Sequence, residues 1–209
     1  MGKLETAFSN MPIICVLRGI QPKEVLDIAA VLLSHGFNIM EVPLNSPKPF
    51  ESIGLLVKEF GSDAVIGAGT VLDTVSVDRL ADVGGEIMVS PNTDDCVIKR
   101  SIDREIIPIP GFATATEAFK AINAGASYLK LFPANVYGCE HLLSLKAILP
   151  SQVKLVATGG LSKVNILEWF EVGVDGAGLG SNLYSTGDRP EDVSKKAKMI
   201  TDTIKNRLH

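Results

Sequence analysis

Histidine is scarce in this chain. His35, His141 and His209 are the only three in 209 residues, and none falls within a cluster of carboxylates. A histidine-based metal centre or general base is therefore not expected. Cysteine is equally sparse: Cys15, Cys96 and Cys139 are odd in number, far apart and free of CxxC spacing. That argues against a disulfide framework and a zinc site and predicts reduced thiols. No apolar run approaches the roughly 18 residues that a membrane span needs, and residues 1–10 lack the apolar stretch of a signal peptide. The cytoplasm is the expected compartment, with no membrane partner. Basic clusters are also missing and the net charge is -4, which argues against a nucleic-acid partner. Any phosphate recognised here belongs to a small molecule.

What the chain does have is apolar material, 46% of residues against 21% charged. That is enough for one large core, and no linker or low-complexity segment divides residues 1–209 into separate domains. Short runs rich in branched residues recur at near-regular intervals, at 12–17, 39–43, 65–69, 87–90, 106–110, 128–132, 154–158 and 176–180. Between them lie segments with helical periodicity, such as 22–35, 116–124, 140–149 and 163–171. Gly36, Gly84, Gly125 and Gly173 suit left-handed helix ends, and Ser162 with Thr114 or Thr116 suits helix starts. Residues 1–10 read as a short extra helix and 188–208 as a closing one. Eight strand-like runs, each with a crossover helix, predict a closed parallel (β/α)8 TIM barrel near the lower size limit of about 200 residues. An open doubly wound sheet is the alternative, but 17–20 (Leu-Arg-Gly-Ile) carries no GxGxxG fingerprint after the first run.

In a barrel, chemistry gathers where strands end, and the unusual residues fall there. Lys130 lies in Tyr128-Leu129-Lys130-Leu131-Phe132-Pro133. A cation between two leucines either snorkels to water or is desolvated, loses its proton more easily and becomes a nucleophile for carbonyl carbon. Glu41, in Ile39-Met40-Glu41-Val42-Pro43, is either an arginine's partner or a buried acid whose raised pKa lets it move protons. The second and sixth runs face each other across a barrel mouth, so Glu41 and Lys130 can reach one ligand. Arg18 follows the first run and suits bidentate capture of a carboxylate, or a rim ion pair. Thr158-Gly159-Gly160-Leu161-Ser162 and Gly178-Leu179-Gly180-Ser181 offer backbone amides after the last two runs, the usual phosphate seat of barrel enzymes. Tight turns without a ligand are the simpler alternative. Thr70 and Pro91 are weaker signals.

Taken together, Glu41-Val42-Pro43-Leu44-Asn45-Ser46-Pro47, Gly67-Ala68-Gly69-Thr70-Val71-Leu72, Ser90-Pro91-Asn92, Pro110-Gly111, Leu129-Lys130-Leu131-Phe132-Pro133 and Thr158-Gly159-Gly160 resemble the KDPG/KHG aldolase family, the class I pyruvate aldolases, over nearly the whole chain. Val16-Leu17-Arg18-Gly19-Ile20 and Pro43-Leu44-Asn45-Ser46-Pro47 are similar to the 6-phosphogalactonate branch. In the gluconate branch the carboxylate-binding arginine stands at the position of Asn45 and none matches Arg18. Thr158 departs from this likeness, since it matches the gluconate branch where galactonate enzymes tend to carry valine.

The resemblance implies an aldehyde-lyase that cleaves a 2-keto-3-deoxy-6-phospho sugar acid to pyruvate and glyceraldehyde 3-phosphate, with no metal or other cofactor. The galactonate epimer would be preferred, with gluconate or 4-hydroxy-2-oxoglutarate cleavage as the alternative. It further implies Lys130 as Schiff-base lysine and Glu41 as proton shuttle. Arg18, Thr70, Pro91 and Phe132 would hold the pyruvate end, and Gly159, Gly160, Gly180 and Ser181 the phosphate. Thr158 and Asn45 would set specificity, in a homotrimer. A phosphate-binding barrel isomerase is the more distant possibility.

Overall fold

The computed structural model describes residues 2–205. Met1, His209 and the end of the expected 188–208 helix, residues 206–208, lie outside the described residues. In chain order the elements are α1 (Lys3–Asn10), β1 (Ile13–Val16), α2 (Val25–Ser34), β2 (Ile39–Pro43), α3 (Pro49–Phe60), β3 (Val65–Gly69), α4 (Thr74–Asp82), β4 (Ile87–Val89), α5 (Asp95–Asp103), β5 (Ile107–Ile109), β6 (Gly111–Phe112), α6 (Ala115–Asn123), β7 (Tyr128–Leu131), α7 (Ala134–Lys146), β8 (Lys154–Thr158), α8 (Ile166–Glu171), β9 (Gly176–Leu179) and α9 (Pro190–Lys205).

All strand pairs are parallel, in the order β5-β4-β3-β2-β1-β9-β8-β7-β6. The two ends of that order are adjacent in the chain: β5 lies within the expected run 106–110, and β6 follows it, with Pro110 between them. Eight strands were expected and nine are found among the described residues, because Pro110 has no N–H for the ladder. The strand before it pairs with β4 and the strand after it with β7. The ring thus closes through the chain itself, and the open doubly wound alternative falls away.

Strand periodicity sorts the interior. Ile14, Ile39, Val65, Ile87, Val89, Ile109, Tyr128 and Val156 pack together inside the barrel, joined by Leu4, Ala7 and Phe8 of α1. The Phe8 ring stacks on Tyr128 at 5.8 Å between centroids, so α1 closes the amino-terminal end. The alternate strand residues form the larger core between sheet and helices. Side chains two residues beyond the plugged layer point the same way. Glu41 follows Ile39, Lys130 follows Tyr128, and Thr158 follows Val156, all toward the open carboxyl end.

Helix boundaries show where local chemistry wins. Thr114, not Thr116, caps α6, through a capping box with Glu117. The helix expected over 140–149 is instead Ala134–Lys146, interrupted at Gly138 (φ 78°, ψ 171°). Pro133 lets a first turn begin directly after β7, and Gly138 breaks it. The helices expected to begin at Pro22 and Lys163 start in turns and become regular only at Val25 and Ile166. Ser162 lies in the second of these turns, where its hydroxyl accepts from the Val164 amide at 3.3 Å. Gly36, Gly84, Gly125 and Gly173 all have positive φ, as helix ends of this kind require.

Candidate active site

Lys130 is 7% exposed and Glu41 3%, the two buried charge-bearing side chains among the described residues. No hydrogen bond or ion pair is made by Lys130 Nζ among the described residues; it stands 4.6 Å from the centre of the Phe132 ring. Glu41 Oε2 is buried without a hydrogen-bond partner among the described residues. Orphaned polar atoms of this kind are rare in folded proteins and mark a place where a proton, water or ligand belongs. Burial lowers the Lys130 pKa to about 8; the Glu41 carboxylate opposes the shift and the Arg18 cation adds to it. Burial raises Glu41 to about 7, against the pull of Lys130 and Arg18. The two shifts draw the pKa values of the acid and the amine toward each other. One partner can be a free amine while the other carries a proton, which is the state that nucleophilic attack followed by proton transfer requires.

Glu41 fits only because of a residue that sequence reasoning named within a motif but gave no such role. Gly69 ends β3, and a Cβ there would overlap the Glu41 carboxylate. A parallel socket exists at Gly178, where a Cβ would crowd Thr158 Oγ1. Both glycines were visible as members of motifs; what was missing was the neighbouring strand that each makes room for. Thr70, directly after Gly69, holds φ at 56°. For a β-branched residue this is a strained conformation, costing about 1–3 kcal/mol, of the sort found where function over-determines the backbone.

Arg18 is exposed at the end of β1 and donates from Nη1 to Asn45 Oδ1 at 2.6 Å. Ser46 Oγ accepts from the Gly19 amide at 2.9 Å, and the Thr186 hydroxyl donates to the Arg18 carbonyl at 3.4 Å. Asn45, expected as a specificity position, thus holds the arginine. Ser90 donates to the Asn92 carbonyl at 2.8 Å, shaping the Pro91 turn, and Gly111 leaves space for the Pro91 carbonyl. Phe132 leads into Pro133 through a cis peptide.

Gly159 and Gly160 have φ of 102° and 72°, which side-chain-bearing residues resist. Among the described residues the amides of Gly159, Gly160 and Ser181 donate no hydrogen bond, which leaves them available to an anion. The amide of Ser162 is already engaged by Asn165 Oδ1 at 2.8 Å. Gly180 precedes Ser181, and its carbonyl accepts from Leu183 and Tyr184 in the turn beyond β9.

Groups that could ligate a metal are elsewhere. Among the described residues Asp94, Asp95 and Cys96 come together, but Asp94 caps its own helix and Asp95 pairs with Lys120 at 3.3 Å. His35 ends α2, next to Ser194, and His141 lies on α7 with its Nε2 2.6 Å from the Ala113 carbonyl. The three cysteines are free thiols. Among the described residues no helix is long and apolar enough to cross a membrane.

A closed parallel barrel with a buried lysine and a buried carboxyl at its open end has the layout of a barrel enzyme, whose chemistry sits at the carboxyl ends of the strands. A family model for KDPG and KHG aldolase matches residues 4–199. The chain is 45% identical over 197 residues, 94% of its length and 93% of the relative's, to a probable 2-dehydro-3-deoxy-6-phosphogalactonate aldolase of Rhizobium meliloti (strain 1021). It is 43% identical over 189 residues, covering 90% and 92%, to the 2-dehydro-3-deoxy-6-phosphogalactonate aldolase of Escherichia coli (strain K12). A solved structure described as native KDPGal superposes with a TM-score of 0.92 at 41% identity, covering 95% of this chain and 96% of that one. The chain belongs to the KDPG and KHG aldolase family, and is a lyase.

Proposed function

We propose that this enzyme cleaves a 2-keto-3-deoxy-6-phospho sugar acid to pyruvate and D-glyceraldehyde 3-phosphate, with the galactonate epimer preferred, through a Schiff base on Lys130. The observation that carries this is the buried Lys130 amine, without a hydrogen bond or ion pair among the described residues and with its pKa lowered, sharing the barrel end with a carboxyl whose pKa is raised. The free amine adds to the C2 ketone, and Glu41 relays protons through the carbinolamine until water leaves as the iminium forms. Glu41 then accepts the proton of the C4 hydroxyl, and the electrons of the C3–C4 bond pass into the iminium as the aldehyde departs. The resulting enamine is protonated at C3 and hydrolysed, which releases pyruvate and restores the amine.

Arg18, held by Asn45, pairs with the substrate carboxylate, assisted by Thr70 and the backbone at Pro91. Phe132 lies against the reacting carbon and excludes water. The amides of Gly159, Gly160, Gly180 and Ser181 take the phosphate. No metal or cofactor enters the scheme. We further read residues 1–209 as one domain of a cytoplasmic homotrimer. Family likeness supports that assembly.

Incubation with pyruvate and borohydride tests the mechanism: a reduced pyruvate adduct on Lys130 is expected, and its absence would sink the imine. The same adduct separates this reading from a phosphate-binding isomerase, which needs no covalent lysine. A gluconate-type or relaxed specificity is favoured by one feature. Thr158 faces the open end with a hydroxyl that makes no hydrogen bond among the described residues, fitted against Gly178. Cleavage rates of both epimers, measured again in Thr158→Val, decide it: an unchanged ratio removes Thr158 as the stereochemical reader.

A further inference from the structure

The loop that follows β9 is braced from outside the barrel by a residue that no part of the reaction scheme uses. Lys196, on α9, points its ammonium at Asp188 Oδ2 at 2.5 Å, at the Ser181 carbonyl at 3.3 Å and at Ser185 Oγ at 3.5 Å. Asp188 Oδ2 also accepts from the Ser185 amide at 2.8 Å, and the Ser185 hydroxyl donates to the same Ser181 carbonyl at 3.3 Å. The Lys196 and Asp188 side chains are only 26% and 19% exposed, so this contact is shielded more than a surface pair, whose worth is small.

The geometry of one peptide unit makes this arrangement consequential. The Ser181–Asn182 peptide is trans; among the described residues the cis peptide is Phe132–Pro133. In a trans peptide the carbonyl and the amide of the next residue point in opposite directions. Two donors grip the Ser181 carbonyl on the α9 side, so the Asn182 N–H is directed away from α9. No hydrogen bond is donated by that amide among the described residues. A carbonyl polarised by an ammonium also makes the amide of its own peptide a stronger donor. Asn182 reaches the other half of the anion seat as well: its Nδ2 donates to the Leu161 carbonyl at 2.8 Å, joining this loop to the Gly159-Gly160 turn.

We propose that Lys196 is a positioning residue for the phosphate seat, and that by holding the Ser181 carbonyl it presents the Asn182 amide as a further phosphate donor. The inference rests on the reading of the two glycine loops as that seat. Lys196 touches no substrate atom; its effect passes through one peptide.

The test compares Lys196→Met, Lys196→Arg and the unaltered enzyme on the phosphorylated keto acid and on its dephosphorylated counterpart, with rates normalised to chains that form the pyruvate–borohydride adduct. Loss of a charge-assisted hydrogen bond corresponds to roughly a tenfold or larger effect. For Lys196→Met, KM for the phosphorylated substrate should rise about tenfold while kcat/KM for the dephosphorylated one and the adduct yield stay within about twofold. Lys196→Arg should recover most of the loss. Equal losses on both substrates, or an unchanged KM for the phosphorylated one, overturn the proposal. If Lys196→Met does not fold, Lys196→Gln is held to the same criterion. An unaltered enzyme that ignores the phosphate overturns the seat and this inference together. One that discriminates, paired with variants that discriminate equally, overturns this inference alone.

Discussion

Gly69→Ala should damage catalysis far more than a single buried methyl would suggest. Gly69 has no left-handed backbone to maintain, since its φ is not among the positive values, and alanine is acceptable to that strand conformation. The obstacle is space: the new Cβ would occupy the position of the Glu41 carboxylate. The strand cannot retreat easily, because the Gly69 carbonyl accepts from Leu44 at 2.8 Å and Gly69 is paired in register with Pro43. Glu41 must therefore yield by about 1 Å or more, and a misplacement of that size costs on the order of a hundredfold in rate. Overpacking adds roughly 1–3 kcal/mol of lost stability, or about 2–4 °C in Tm per kcal/mol for a chain of this size. Pyruvate release coupled to lactate dehydrogenase gives kcat/KM, and thermal denaturation gives Tm. The double variant Gly69→Ala, Glu41→Asp completes the cycle. The shorter acid frees the space, so the two substitutions should be strongly non-additive, with the double variant more active than the product of the single effects predicts. A Gly69→Ala enzyme within threefold of full activity, or strict additivity in the cycle, would refute the socket.

The pH dependence of pyruvate trapping should report the Lys130 amine, with an acid limb near its pKa of about 8. Glu41→Gln removes the opposite charge and should move that limb to lower pH, whereas Arg18→Leu removes the like charge and should move it higher; shifts in the reverse sense would reject this electrostatic picture. Stability follows from the same value: between about 8 and the ordinary 10.5 the unfolded chain holds the extra proton, so the fold gains stability as pH rises through that window. Lys130→Met should therefore raise Tm most below pH 8, with the gain shrinking toward pH 10.5, and melts across that range check it. Asn45→Ala frees the Arg18 guanidinium from its 2.6 Å bond; KM should rise about tenfold at near-constant kcat and Tm, which steady-state kinetics reads directly.

Strand-length apolar runs were legible because parallel barrel strands are buried on both faces and must be apolar throughout. For the same reason Lys130 and Glu41 stood out, since an ionisable residue in such a run has no solvent face to occupy. The break at Pro110 was less legible: a proline at the end of a run reads as a boundary, and only the pairing of β5 with β4 and β6 with β7 reveals a closure. The α7 start was missed because Ala134–Tyr137 is too short for helical periodicity to register. Gly69 and Gly178 lay beyond local reasoning altogether, because their role depends on side chains from adjacent strands.

The same contrast explains how the site is stabilised. Desolvating Lys130 and Glu41 destabilises the barrel, and each opposes the other's shift only in part. A sequence selected for stability alone would place apolar residues at these two layers, as it does directly below them at Ile39 and Tyr128. The plug of α1 beneath and the larger core outside the sheet therefore hold strands that their own upper layer weakens. The glycine sockets then become intelligible as steric rather than flexible features. They let a long acid lie flat against a neighbouring strand, near the amine, without a hydrogen bond that would fix its protonation state. A partner for Glu41 Oε2 would stabilise the fold and, by favouring one charge state, remove the ambivalence that makes the carboxyl able to both give and take a proton.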